Sequence, residues 1–559
     1  MKKFDYIIGG ISLLAFFILL AQLSSYFDRF SRLFRMVNIS ILAIFVFDVL
    51  LRAILSKNKA VHIKNNFIDF IVFVPFVQFI KGFNYSDFSV IVWQIVIIAM
   101  LVSRVRKVNK FVNLLSLRPA QLMIASFAFV ILSGTILLML PMAAGSGVKT
   151  PFIDALFTAT SATCVTGLIV KDTASYYSLF GQMVILSLIQ IGGLGIMTFS
   201  VSLSLFMKKQ IQVRQQIVMK DVLDQDVIST VKSFILFIVK MTFMIELAGA
   251  VLLFSLWREK FMDSFTAAYH AVFHSISAFC NAGFSTFSDS LMRFSGDGLT
   301  NSVISLLIIV GGLGFIVIRE LFDQLKNKFI HRMKKPLFFR VQTKIVLGVS
   351  LLLIVLGSVV IYLMEKEKAL SLLPVKSKIL ISLFQSVTTR TAGFNTVDLS
   401  TFSFSTLLFM MILMFIGGSP GSTAGGVKTT TISVLWATLK SSFNQKENVE
   451  LSRRTLPNET VQKAITIFVF SLFIVGVFAS LLLYFEQKEV GSVLFETVSA
   501  FGTVGLSTGI TPNLTLEGKI LISLLMFVGR IGPLTLAYAI IRHRPSARYR
   551  YAEERVMIG

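Results

Sequence analysis

Past residue 116 the chain alternates long apolar stretches with short, more polar ones, in an order that recurs four times. The runs at 123–138, 183–205, 349–362 and 465–483 approach the ~20 apolar residues with which a helix crosses a bilayer. The pattern predicts an outward helix, a short amphipathic helix, a small-residue turn and a return helix in each copy. The first copy has 121–142, 152–163 and 182–206, and the second 231–256, 263–279 and 301–325. The third has 342–364, 379–389 and 406–439, and the fourth 460–484, 492–501 and 519–542. The segments before the turns are too short, and too rich in Ser and Thr, to face lipid. They are expected to be half-helices inside protein, where neighbours satisfy the backbone.

The turns themselves are SATCVTGL, SAFCNAGFSTF, SVTTRTAGFNTV and SAFGTVGLSTG. They place Gly167, Gly283, Gly393 and Gly505 at separations of 116, 110 and 112 residues. Converging on one axis, four such turns would form a ring of backbone carbonyls able to replace the water around a cation. Glycine lets the backbone turn its oxygens inward without a Cβ clash. The four glycine turns are therefore candidate cation-coordinating turns.

A second recurrence lies in the return helices: LIQIGGLGI, LIIVGGLGF, MFIGGSPGSTAGG and MFVGRIGPL. It pairs Gly192 with Gly193, Gly311 with Gly312, Gly417 with Gly418, and Gly529 with Arg530. Glycine inside a helix costs ~1 kcal/mol relative to alanine, so the recurrence asks for a reason. For the first two copies, tight packing through small residues and local unwinding both remain open. The third copy, Gly417, Gly418, Ser419, Pro420, Gly421, Ser422, Thr423, Ala424, Gly425 and Gly426, cannot be a regular helix. Unwound backbone at membrane depth is tolerated where it lines a water-filled cavity, which makes this segment a candidate gate. Arg530 interrupts the fourth return helix, and an intramembrane arginine by default faces the protein interior.

Composition fits this picture. The hydrophobic fraction is 55% and the mean hydropathy +0.79, outside the soluble globular range. The net charge of +24 falls between spans, at 104–110, 208–214, 319–344, 440–463 and 542–555. The positive-inside rule places these segments, and with them both termini, on the cytoplasmic face of a multi-pass cell-membrane protein. That distribution argues for a lipid bilayer and against nucleic acid. The stretch 6–23 reads as a retained membrane helix, with no cleaved signal. Two cysteines, Cys164 and Cys280, exclude a disulfide framework and are expected to be buried thiols. Arg390, beside a cation turn, is expected to lie sideways in a pair with Glu496 or Asp398. His270 and His274 are expected to be a satisfied pair in the second short helix, since no third metal ligand accompanies them. No phosphate-cradling Gly-x-x-x-x-Gly-Lys loop occurs, so any nucleotide is expected on a partner, and no enzyme chemistry is indicated. Parallel copies, with Glu246 and Glu496 as the acidic exceptions within spans, argue against an ion-coupled secondary transporter. A Na⁺- or H⁺-coupled symporter or a Na⁺-permeable relative stays as the alternative.

The four turns, GGSPGSTAGGVKTTT and VGRIGPLTL resemble the KtrB/TrkH superfamily of potassium transporters from about residue 117 to 559. The tail YRYAEERVMIG is similar to KtrB in particular. The resemblance implies an all-α integral membrane protein, its four helix–half-helix–helix repeats in pseudo-fourfold arrangement around a central pore. It implies a selectivity filter of Cys164, Val165, Thr166 and Gly167; Cys280, Asn281, Ala282 and Gly283; Arg390, Thr391, Ala392 and Gly393; and Gly502, Thr503, Val504 and Gly505. It implies K⁺ as the transported ion, held at Val165, Thr166, Asn281, Ala282, Thr391, Ala392, Thr503 and Val504, with Na⁺ a candidate activator. It also implies a homodimer with a pore in each subunit, and a cytoplasmic nucleotide-binding regulatory ring of KtrA/TrkA type. Plant relatives that prefer sodium carry serine where this chain has Gly167, which favours potassium. Arg530 would lie just below the filter against the glycine-rich segment. The expected function is channel-like potassium uptake down the electrochemical gradient.

The expected divisions are an accessory four-helix domain at 1–115 and pore repeats at 116–225, 226–338, 339–455 (with the gating loop) and 456–559 (with a cytoplasmic tail). The front domain has apolar segments at 6–25, 37–55, 67–79 and 89–102. Asp48, Arg52 and Asp69 lie within them, and Arg104, Lys107 and Lys110 follow at every third position. The ensemble is similar to a voltage-sensing four-helix domain. Its basic residues cluster at one end, where snorkelling to headgroups accounts for them, so docking or stability is expected ahead of voltage sensing.

Overall fold

The computed structural model describes residues 119–195, 231–329 and 339–540, together with Phe47. The rest of the front domain, with Asp48, Arg52, Asp69, Arg104, Lys107 and Lys110, lies outside the described residues, as does the C-terminal tail. The described chain is helical apart from its turns and one small hairpin, Glu450–Leu451 against Arg454–Thr455. In order the helices are α1 (Pro119–Leu138), α2 (Phe152–Thr163), α3 (Leu179–Leu194), α4 (Val231–Trp257) and α5 (Ser264–Phe279). Then come α6 (Gly298–Leu313), α7 (Phe315–Phe329), α8 (Val341–Glu365), α9 (Val375–Thr388) and α10 (Phe404–Phe415). The last are α11 (Thr429–Phe443), α12 (Asn458–Glu486), α13 (Val490–Gly502), α14 (Leu516–Ile531) and α15 (Pro533–Ile540).

Local chemistry sets several of these boundaries. Ser178, Asp263, Asp297 and Thr515 accept from backbone N–H groups in the first turns of α3, α5, α6 and α14, which fixes where those helices begin. Glycines with φ of 74°, 89° and 90° at Gly195, Gly314 and Gly532 end α3, α6 and α14 at matching points. The left-handed conformation is one that glycine adopts without a Cβ penalty. The expected continuous return helices are therefore broken. The segment 301–325 is two helices, α6 and α7, bent by 104°. The segment 519–542 divides at Gly532, and 406–439 is interrupted between α10 and α11.

Among the described residues three helices, Ser233–Trp257, Val341–Glu365 and Asn458–Glu486, are long and apolar enough to cross a membrane. They carry exposed apolar stripes at four-residue spacing: Phe243, Leu247 and Val251; Leu351, Val355 and Val359; Val469, Phe473 and Val477. That spacing puts each stripe on one helix face, a surface suited to lipid. The short helices are the opposite. Thr158, Thr160 and Ser161 on α2, Ser275 and Ser277 on α5, Gln385 and Ser386 on α9, and Thr497 and Ser499 on α13 are all buried.

Glycines set how closely the layers approach. A Cβ on Gly192, Gly311 or Gly529 would overlap the backbone carbonyl oxygen of Thr163, Phe279 or Phe501, each at the end of a short helix. On the outward helices, Gly249 and Gly357 make room in the same way for the hydroxyls of Ser275 and Ser386. Of the two explanations left open for the glycine pairs, close packing holds for Gly192 and Gly311. Gly311→Ala is expected to destabilise the detergent-solubilised protein by about 1–3 kcal/mol, the usual cost of overpacking. Thermal melting of the variant checks this; an unchanged midpoint would mean that the carbonyl contact is not close.

Candidate functional site

The ends of the short helices come together. After each helix the chain enters the left-handed region at a non-glycine residue: Val165 (φ 56°), Asn281 (60°), Thr391 (75°) and Thr503 (50°). Two residues later it does so again at Gly167 (94°), Gly283 (69°), Gly393 (81°) and Gly505 (89°). Such conformations cost about 1 kcal/mol or more for a non-glycine residue and persist only where the surroundings impose them. A hydroxyl residue in the last turn of each short helix helps to impose them. Ser161 and Ser499 accept from the N–H of Gly167 and Gly505, each at 3.1 Å. Ser277 and Thr388 donate to the carbonyls of Phe284 and Phe394, at 2.7 and 2.9 Å.

The four turns touch in a closed cycle. A Cβ on Gly167 would collide with the carbonyl oxygen of Ala282, on Gly283 with that of Ala392, on Gly393 with that of Val504, and on Gly505 with that of Thr166. The hydroxyls of Thr163, Thr166 and Thr503 are buried there without a partner. The structure thus brings together Val165 to Gly167, Asn281 to Gly283, Thr391 to Gly393 and Thr503 to Gly505. Cys164, Cys280, Arg390 and Gly502 stand immediately before these residues.

Cys164 and Cys280 are buried and free. The Cys280 thiol packs on Gly193 and lies 3.7 Å from Gln190 Oε1 and 3.8 Å from Glu246 Oε1. The Gln190 amide donates to the other Glu246 oxygen at 3.1 Å. Arg390 departs from expectation. It is buried as expected, but makes no ion pair with Glu496 or Asp398, and its Nε has no partner. Both carboxylates are engaged locally: Thr511 donates to Glu496, and Asp398 accepts from the Ser400 N–H at 2.9 Å. The histidines are satisfied within their own unit. His270 Nδ1 meets Thr286 Oγ1 at 2.7 Å, and His274 Nε2 meets Ser285 Oγ at 2.9 Å.

The segment from Gly417 to Gly426 is non-helical, as its composition requires. Ile416 and Val427 form an isolated parallel bridge at its base, with Gly417 N donating to Val427 O at 2.9 Å. Its interior is tied to the break between α6 and α7. Ser419 N donates to Gly312 O at 3.1 Å, and Phe315 N donates to Gly421 O at 3.0 Å. Thr423 Oγ1 donates to the carbonyls of Gly311 and Phe279, at 3.0 and 3.3 Å. Gly425 packs on Thr503 of the fourth turn so closely that a Cβ would not fit. Arg530 donates to the carbonyls of Thr423 and Gly192. Lys428 does the same from the other end of the segment, to Ala424 at 2.7 Å and Gly425 at 3.3 Å. Sequence reasoning missed Lys428; the signal available was a cation two residues after a glycine pair in an apolar setting.

A family model described as TrkH, cation transport protein, matches residues 88–551. The chain belongs to the TrkH family of cation transport proteins. The match begins inside the stretch assigned to the accessory domain. Among TrkH-family relatives, the potassium/sodium uptake protein NtpJ of Enterococcus hirae is 39% identical over 451 residues, covering 79% of this chain and 98% of its own. The Ktr system potassium uptake protein B of Bacillus subtilis is 39% identical over 455 residues, covering 81% and 99%. The solved structure of the potassium transporter TrkH from Vibrio parahaemolyticus matches with TM-score 0.58 at 19% identity, covering 74% of this chain and 84% of that one. It shows that the TrkH fold is shared.

Beyond the cycle, Asp172 joins the loop after the first turn to that after the second, accepting from Ser288 Oγ at 2.6 Å. Burial pushes its pKa up, but hydrogen bonds from Ser175, Ser288 and the Ala174 and Ser175 N–H groups outweigh this and hold it below the ordinary 3.8. A depressed carboxylate stabilises the fold above its unfolded pKa, and that contribution is lost as pH falls through the folded value. Asp172→Asn is therefore expected to lower the melting temperature at neutral pH and to flatten its decline below about pH 4. A variant whose acid profile matches the parent's would remove Asp172 as a clasp between the loops.

Proposed function

We propose that the protein carries potassium across the cell membrane as a channel-like uptake pathway. The observation that supports this most is the closed cycle of glycine turns with the carbonyls of Thr166, Ala282, Ala392 and Val504 between them. Carbonyls and orphan hydroxyls in such a setting can substitute for the hydration shell of a cation. K⁺ is held by the turn residues Val165, Thr166, Asn281, Ala282, Thr391, Ala392, Thr503 and Val504. Because the four turns differ in sequence, they make one good site rather than a stacked series. The names of the relatives favour potassium, and that of the Enterococcus protein adds sodium.

On this reading 116–225, 226–338, 339–455 and 456–559 are four repeats in pseudo-fourfold arrangement about the pathway, and 1–115 is an accessory domain that docks or stabilises. The segment from Gly417 to Gly426 is the gate, and its contact with Thr503 supports a place directly beneath the filter. Arg530 latches it closed and sets a positive barrier. The basic segments and both termini face the cytoplasm. The protein works as a homodimer under a KtrA/TrkA-like nucleotide-binding ring, with Na⁺ as an activator and without enzymatic chemistry.

Flux of K⁺, Rb⁺ and Na⁺ into proteoliposomes, with voltage clamped by an ionophore, tests the proposal. Selective K⁺ or Rb⁺ flux without a second ion gradient is expected. An obligatory Na⁺ or H⁺ gradient would move the protein to the coupled class, and equal Na⁺ flux to the sodium-permeable one. Silence with the regulatory ring present would end the proposal. Arg530→Ala is expected to raise flux about tenfold, the factor that ~1.4 kcal/mol of lost latch gives. Unchanged flux in folded protein would leave Arg530 as a packing residue.

A further inference from the structure

Between the start of α10 and the start of α13 lies a cavity of about 280 Å³, walled by Ser400, Phe402, Phe404, Glu489, Ser492 and Thr508 among others. Phe404 opens α10 and the Gly417–Gly426 segment follows that helix's far end, so the cavity lies about 17 Å from the segment. Thr508 comes three residues after Gly505, which puts the cavity beside the other mouth of the glycine cycle.

Its polar groups carry no protein hydrogen bond. Thr508 Oγ1 is buried without a partner. Half-buried Ser492 and solvent-exposed Ser400 and Glu489 have no side-chain partner among the described residues. The buried carboxylates nearby are satisfied by protein, Glu365 by Ser403 and Thr406 and Glu486 by Thr515. Exposed Glu489 borders the cavity together with three hydroxyls and two phenyl rings.

One carboxylate and three hydroxyl oxygens are acceptors for the three N–H donors of an ammonium group. Phe402 and Phe404 supply an apolar wall and ring faces that attract a cation. The cavity is far larger than a bare alkali ion and leaves room for a short hydrocarbon body beside buried Phe402 and half-exposed Phe404. We infer that this cavity binds a small aliphatic primary ammonium ion, its head on Glu489 and its chain on the two rings. Its charge then sits beside the mouth and opposes cation entry. That consequence rests on the proposed function; the binding does not.

Calorimetric titration of the full-length protein in detergent tests it, with n-butylammonium as probe and tetramethylammonium as a control with the charge but no N–H. Saturable binding of butylammonium at one site is expected. Glu489→Gln should weaken it about tenfold or more, as for loss of a charge-assisted hydrogen bond. Ser492→Ala combined with Thr508→Val should weaken it less. Glu517→Gln, at the exposed start of α14 and away from the cavity wall, should leave it unchanged. No binding, equal binding of tetramethylammonium, or equal affinity in the Glu489 and double variants overturns the site. Melting curves of the variants exclude misfolding as the cause of a loss. In proteoliposomes that conduct Rb⁺, external butylammonium should slow flux in the parent and not in Glu489→Gln. Binding with unslowed flux overturns the inhibitory consequence while the site stands.

Discussion

A chain that reverses direction at membrane depth exposes carbonyl and amide groups that lipid cannot satisfy. The four short helices therefore have to end inside protein, and the remaining structure supplies that interior. Long helices with apolar outer stripes form the wall. Inside it, hydroxyls of Ser161, Ser277, Thr388 and Ser499 bond the turns that follow. Glycines at 192, 311 and 529 let the return helices lie against the ends of the short ones. Remove that closeness, and the turns lose the surroundings that hold four non-glycine residues left-handed.

The units are alike in plan and unlike in detail. In the third, helix gives way to the Gly417–Gly426 segment; in the fourth, arginine replaces the second glycine. Arg530 and Lys428 are held by carbonyls and not by carboxylates.

Much of this was legible in the sequence because it rests on local chemistry. The first short helix spans the predicted 152–163, and the second begins after its predicted Asp263. Four glycine turns at near-constant spacing announced the cycle, and proline with five glycines announced the unwound segment. The breaks at Gly195, Gly314 and Gly532 were not legible. In GGLG one glycine serves packing and another the break, and only their φ values tell them apart. The pairing of Arg390 failed for a different reason. Charge arithmetic along the chain cannot foresee that Glu496 and Asp398 are taken by donors a few residues away.

The bridge between Ile416 and Val427 has a mechanical meaning. It pins the two ends of the glycine-rich segment together, so the ten residues between them form a flap on a closed base. Because Ser419 and Thr423 within it are buried and bonded to Gly312 and Gly311, and Gly425 packs on Thr503, those ten residues are held as one body between the fourth turn and the break after α6.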